Sequence, residues 1–315
     1  MAITRYLFAS DLHASELAFR KFIAVALQYK VNVAVTDEVT GKFIIPALKQ
    51  KDGSVQFQFR DETVTAKTDA ERKSEENKAA NVGNYVYYCT PEEYEEMKSK
   101  NEALDAMFKQ MVSDRLRHWT AFAEEKLKGK VDTVIMMPGN DDEPYIDDVL
   151  AESKWVLNPD GKVIKLLGNE VLSMGLANMT PWKCPRDVEE NVLEEHLEKL
   201  SAQVTDWQHA IVITHCPPYD TKIDKAPKLD AKFNVVYSGG APVMIPVGST
   251  SVRKMVEKYQ PLLGLHGHLH EGKGIDHIGR TTLINSGSEY YKGLLSAALV
   301  NIEDDNIKGY MFLIT

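Results

Sequence analysis

Apolar residues along the chain fall into two periods. Residues 5–9 form a short apolar run that ends in a polar turn, Ser10-Asp11-Leu12-His13. Leu17, Phe19, Phe22, Ile23, Ala26 and Leu27 then recur at the spacing of one helix face. Residues 31–35 are β-branched and predict a buried strand. A strand–helix–strand unit of this kind predicts parallel neighbours and a layered α/β core. Further apolar runs predict strands at 131–136, 171–174, 210–214, 262–265 and 281–284, returning at 296–302 and 309–314. Amphipathic spacing predicts helices at 188–204 and 251–259.

Between the second and third core strands the pattern changes. Val55, Phe57 and Phe59 alternate with Gln56 and Gln58 after the turn Lys51-Asp52-Gly53, which predicts a half-exposed hairpin beside the main sheet. Residues 67–80 are charged and poor in apolar side chains, as in a solvated helix or loop. Thr90-Pro91-Glu92-Glu93 is a helix start: a cap, a first-turn proline and the acid of a capping box. Helical spacing continues through Leu104, Met107, Phe108, Met111, Leu116, Trp119 and Phe122 to Gly129, with a break expected near 99–101. Helical packing explains this Met and aromatic stripe without a cofactor. No Pro/Gly/Ser linker divides the chain. The expectation is one domain over 1–315, with an inserted hairpin and helices over approximately 50–128.

Composition narrows the function classes. The 315 residues are 43% hydrophobic and 26% charged, which is ordinary for a globular protein. With 37 basic against 46 acidic residues the formal charge is −9, which disfavours nucleic acid as a partner. No apolar run approaches the roughly 18 residues of a membrane span, and MAITRYLFASDLH lacks the build of a signal peptide. Cys89, Cys184 and Cys216 are too few and too scattered for a disulfide framework or a cysteine zinc site. These features together predict a cytoplasmic protein without membrane partners, and leave a homo-oligomer open.

The candidate chemistry lies where the strands end. Asp11 and His13 follow the first strand, and Asp37 and Glu38 the second. Gly139-Asn140-Asp141-Asp142 follows the strand at 131–136, His215 the strand at 210–214, and Gly267-His268-Leu269-His270 the strand at 262–265. Each piece alone also reads as a turn or a solvated histidine. Their order, each closely after an apolar strand, would gather them along one edge of a sheet, where α/β folds place ligands. Carboxylate oxygen with imidazole nitrogen suits Mn, Fe, Zn, Co or Ni better than Ca or Mg alone, and there are donors enough for two ions. His266 reads equally as a core residue or a support for this group. His118 and His196 fall in helix patterns and read as surface residues, and Cys216 as structural. The segments 178–182, with Trp182, and 217–251 are expected to wall the pocket, and Lys222, Lys225 and Lys228 to be solvated.

This set resembles the calcineurin-like metallophosphoesterase superfamily, whose pattern runs D-x-H, G-D, G-N-H-[DE], a lone H, and G-H-x-H. The resemblance spans residues 4 to about 290 and looks closest to the Icc-like prokaryotic phosphoesterases. Asn285-Ser286-Gly287-Ser288 is similar to the N-P-G-S segment that often follows the last motif. The resemblance implies an α/β fold, a four-layer αββα sandwich, with a two-metal centre. It implies Asp11, His13 and His270 on one ion, and Asn140, His215 and His268 on the other. A carboxylate from the second motif would bridge them with a water or hydroxide. Two departures bear on this. Residue type favours Asp37 as the bridge, whereas a gap-free count back from Thr40-Gly41-Lys42 favours Glu38. Asp141 stands where the family has a histidine, and would serve as a general acid only with a pKa raised well above about 3.9. The implied function is hydrolysis of a phosphoester, more specifically a small-molecule phosphodiester, with two divalent ions. The competing expectation is a non-catalytic binding or scaffold protein on a degenerate version of the same fold.

Overall fold

The computed structural model describes residues 3–99, 101–303 and 306–315. Two six-stranded sheets form its centre. One runs in the order 306–314, 296–303, 4–9, 33–36, 133–136, 156–157, and the other in the order 274–278, 281–285, 263–266, 211–214, 169–174, 162–166. The inner strands of each are parallel, with Tyr6 opposite Val33 in one and Ile211 opposite Leu263 in the other. Antiparallel strands close both edges of the second sheet and one edge of the first.

Alternation along each strand sorts the side chains into layers. Tyr6, Phe8, Val33, Val35 and Ile135 meet Val171, Ile211, Ile213, Leu265 and Ile284 in a core between the sheets. Leu7, Ala9, Ala34, Val134 and Met136 point the other way, onto helices α1 (Glu16–Gln28) and, beyond the extra sheet described below, α4 (Asn101–Leu127). Leu172 and Val212 likewise face α6 (Glu190–Ser201) and α7 (Thr250–Tyr259). The result is the helix–sheet–sheet–helix sandwich expected. Ser15 caps α1 by accepting from the Ala18 N–H at 3.2 Å. Phe19 of α1 stacks on Trp119 of α4 with ring centroids 4.1 Å apart.

The expected hairpin is larger than its pattern suggested. Strands Ile44–Lys49, Val55–Phe59, Glu62–Ala66 and Tyr85–Cys89 make a separate four-stranded sheet. Its buried centre is small: Ala47, Val55, Phe57 and Ala66. The charged stretch after it is helix α2 (Asp69–Ala80), and α3 (Pro91–Lys98) begins at the predicted proline. Thr68 and Thr90 both complete capping boxes. α3 ends at Lys98 and α4 begins at Asn101, so the expected break falls there. Lys100, like Met1 and Ala2 of the N-terminal reading, lies outside the described residues. α5 (Ile146–Ala151) is a short helix with no side-chain cap. Among the described residues no helix is long and apolar enough to cross a membrane.

Candidate metal centre

Parallel strands of the two sheets end on the same side of the sandwich, and the loops that leave them carry the predicted residues. The loops take tight turns: Asp11, His13, Glu38 and His268 have φ values of 56°, 42°, 46° and 67°. Left-handed backbone in non-glycine residues is costly and concentrates at functional sites. Two glycines let these loops approach. A Cβ on Gly139 would lie 2.6 Å from the Glu38 Cβ and 2.7 Å from the His215 ring. One on Gly267 would collide with Ser10 and sit 2.7 Å from Asp11 Oδ2.

The loops bring the donors together. His13 Nε2 is 3.2 Å from His270 Nε2, which is 3.5 Å from Asp11 Oδ1. His215 Nε2 is 2.8 Å from Glu38 Oε2 and 3.0 Å from Asn140 Oδ1, and His268 Nδ1 is 3.0 Å from that same amide oxygen. Glu38 Oε2 also lies 3.9 Å from His13 Nε2. Three groups have donor atoms close enough to share an ion: Asp11 with His13 and His270, Asp11 with Glu38 and His215, and His13 with Glu38 and Asp141.

Of the two acids of the second motif, Glu38 lies nearer the other donors. Glu38 occurs in two of the donor groups, whereas Asp37 lies behind His215, its Oδ2 3.1 Å from His215 Nδ1. That contact directs the other ring nitrogen at Glu38 and Asn140. An outer carboxylate on the far nitrogen of a ligating histidine does this in metal sites generally.

Asp141 sits among charged neighbours. Burial pushes its carboxyl up, but the Cys184 thiol and the Lys42 ammonium outweigh that and hold it below its ordinary range. Asp141 forms an ion pair with Lys42, and its backbone N–H donates to Glu38 Oε1 at 2.8 Å.

The donor set fits bound cations. Asp11, Asp37 and Glu38 are buried, each with an oxygen 2.8–3.9 Å from a His215 ring nitrogen, an arrangement that needs positive charge among them. Burial opposes charge on His215, yet the Glu38 and Asp37 carboxylates hold its pKa well above the usual imidazole value. Burial raises the Glu38 carboxyl well above its ordinary value, despite His215. Asp11 Oδ1 and His13 Nδ1 are buried and have no hydrogen-bond partner. The other Asp11 oxygen is fixed, accepting from Ser10 Oγ at 2.5 Å and from the His268 N–H at 3.0 Å.

Several supports carried no signal readable from spacing alone. Asp142 accepts from the N–H groups of Val39, Thr40 and Gly139, each at 3.0 Å, and from the Thr40 hydroxyl, tying two donor loops together. Its place in the Asn140-Asp141-Asp142 run was its one visible hint. Asp187 accepts from Asn140 Nδ2 at 2.8 Å and so turns the amide oxygen toward the two imidazoles. Arg186, buried, donates to the Asp142 carbonyl at 2.9 Å. The Asn285–Ser288 segment closes the set: Asn285 Nδ2 donates to the Gly267 carbonyl at 3.0 Å and Ser288 Oγ to the Asp11 carbonyl at 2.7 Å. His266 is a buried strand residue, Nδ1 3.0 Å from the Thr214 carbonyl, and is not in the donor groups. Of the lysines in the expected wall, Lys225 pairs with Asp220 at 3.0 Å and Lys222 lies 3.9 Å from Asp276.

The sheets, their strand order and the placement of D-x-H, G-N-D-D, the lone histidine and G-H-x-H on successive strand ends decide the architecture. It is the four-layer sandwich that the resemblance implied. TT1561 of Thermus thermophilus has the same sandwich, with a TM-score of 0.53 and 14% identity over 100% of this chain and 99% of that one. A dimetal phosphatase from Danio rerio aligns more loosely, at a TM-score of 0.43 and 11% identity over 99% of this chain and 98% of that one. No family model matches the chain. In sequence it is 32% identical over 160 residues to the uncharacterized protein MJ1162 of Methanocaldococcus jannaschii. That match covers 50% of this chain and 65% of the relative. The sandwich holds acidic and histidine clusters suited to divalent metal at its loop edge.

Proposed function

We propose that this protein is a metal-dependent phosphoester hydrolase acting on a small-molecule phosphodiester, with two divalent ions held by Asp11, His13, Glu38, Asn140, His215, His268 and His270. The single observation that supports this most is the convergence of buried Asp11 and Glu38 on the imidazoles of His13, His215 and His270. When bound, divalent ions neutralise phosphoryl charge and make a water acidic enough to attack near neutral pH. The chain's own groups prepare that chemistry. Asp37 fixes the His215 ring, Asp187 fixes the Asn140 amide, and Ser10 with the His268 N–H fixes Asp11, so the donors need not reorganise. The imidazoles ligate only when neutral, and burial favours neutral His13 and His268, whose pKa values fall to about 3 and about 4. Lys42, half-exposed beside Asp141, sets a cation next to the donor group of His13, Glu38 and Asp141, where it could meet a phosphoryl oxygen. With Asp141 ionised, esters whose leaving groups need little protonation are favoured. Manganese and a cytoplasmic setting belong to this proposal too.

The test joins metal analysis to turnover. After dialysis against Mn²⁺, the protein is expected to retain metal and to cleave bis-p-nitrophenyl phosphate in a chelator-sensitive way. Absence of both metal and turnover in folded protein would overturn the hydrolase reading in favour of a binding protein.

A further inference from the structure

Beside the donor groups, on the flank that carries the four-stranded sheet, lies a cavity of about 210 Å³ that reaches from His13 to Phe43, Phe59 and Arg60 and across to Tyr290 and Tyr291. Its walls combine two kinds of chemistry. Phe43 is 64% exposed and Tyr291 48% exposed, so two large aromatic faces stand in water at its rim. Tyr290 lies between them and the donors, its ring centroid 4.4 Å from that of His13. The second kind is cationic. Lys42 lines the cavity, and Arg60 donates to the Tyr291 carbonyl at 2.7 Å while its guanidinium lies 5.2 Å from the Phe59 ring centroid. This contact ties the extra sheet to the 290–292 segment and leaves further guanidinium N–H groups free to meet an anion.

We infer that this cavity is the subsite for a planar aromatic ring carried by the phosphate ester, the ring stacking against Phe43 and Tyr291 while Lys42 and Arg60 meet the anionic part. The substrate class is thus a nucleotide-like ester and not an alkyl or sugar phosphate. Three observations support that choice. Aromatic faces stack on flat rings with little regard to their identity. The volume of about 210 Å³ is smaller than the roughly 300 Å³ at which drug-sized pockets begin, so it suits one ring system. The cavity is continuous with His13, so a ring seated there can be joined directly to a phosphoryl group at the donors. The anchoring of the phosphate rests on the phosphoesterase reading above; the ring preference does not.

The experiment is calorimetric titration of the Mn²⁺-treated protein with AMP and with ribose 5-phosphate, which share a phosphate and ribose and differ by the ring. AMP is expected to bind at least about tenfold tighter, the size of one stacking contact. In the F43A/Y291A double variant the affinity ratio is expected to collapse to within about twofold. Both side chains are exposed, and a thermal melt confirms that the variant folds. Equal affinities in the unaltered protein, or an unchanged ratio in the double variant, would overturn the subsite. A collapsing ratio in a protein that never cleaves bis-p-nitrophenyl phosphate would keep the subsite and remove the hydrolase reading. Cleavage without a ratio would do the reverse.

Discussion

Asp37 and Glu38 are adjacent acids with opposite faces, and the difference between them is measurable. Glu38 points among the imidazoles, and Asp37 meets the far nitrogen of His215 and Ser10. Glu38→Gln is expected to lower turnover by at least about a hundredfold together with metal retention, because it removes a shared donor. Asp37→Asn is expected to weaken metal affinity about 10–100-fold with the donors still present, as loss of an outer carboxylate does. Metal titrations followed by calorimetry separate the two, and equal small effects would remove Glu38 from the bridge. Asp142 belongs to the same scale. Asp142→Ala orphans three backbone N–H groups, and a loss of about 2–4 kcal/mol in urea unfolding is expected. The ligand candidates were legible because their types and order are distinctive. Asp142, Asp187 and Arg186 were not, because a buried acid or base that holds a loop looks in sequence like any turn or surface residue.

At the level of elements, the core strands were legible and the extra sheet was not. Strands such as Ile211–Thr214 and Leu263–His266 are short, mostly apolar runs bounded by polar turns, so their pattern had one reading. The strands Ile44–Lys49 and Tyr85–Cys89 pair with each other across a charged helix, and no local pattern announces such a pairing. This sheet buries few apolar side chains. Its amides are expected to exchange with solvent faster than those of the two central sheets, as hydrogen-exchange mass spectrometry would read. The Leu263–His266 strand carries a pH signature as well. Burial lowers the His266 pKa from 6.5 to about 4, so its ring stays neutral in the folded chain while it protonates in the unfolded one. Between those values the unfolded state binds the extra proton, so this contribution is complete above pH 6.5 and is lost as pH falls through about 4. His266→Asn in the metal-free protein is expected to flatten the stability–pH slope there by about one proton, or about 1.4 kcal/mol per pH unit. An unchanged slope would mean that His266 is not held neutral.

For the whole molecule, a net charge of −9 is combined with a buried acidic centre. Such a chain gains stability from any cation that binds the folded state alone, by about 2.7 kcal/mol at a hundred times the dissociation constant. Mn²⁺ is therefore expected to raise the melting temperature and a chelator to reverse the rise, with the Glu38→Gln protein insensitive to both. The sandwich itself followed from alternation within strands and amphipathic spacing within helices, which divide side chains among its layers before any tertiary contact is known. The cavity at Phe43 and Tyr291 did not, because its rim comes from segments at opposite ends of the chain. The most direct measurement of the central claim is the metal content of the folded protein after Mn²⁺ loading and exhaustive dialysis. About two equivalents per chain, falling in the Glu38→Gln protein, is the predicted result. A folded chain that holds none would contradict it.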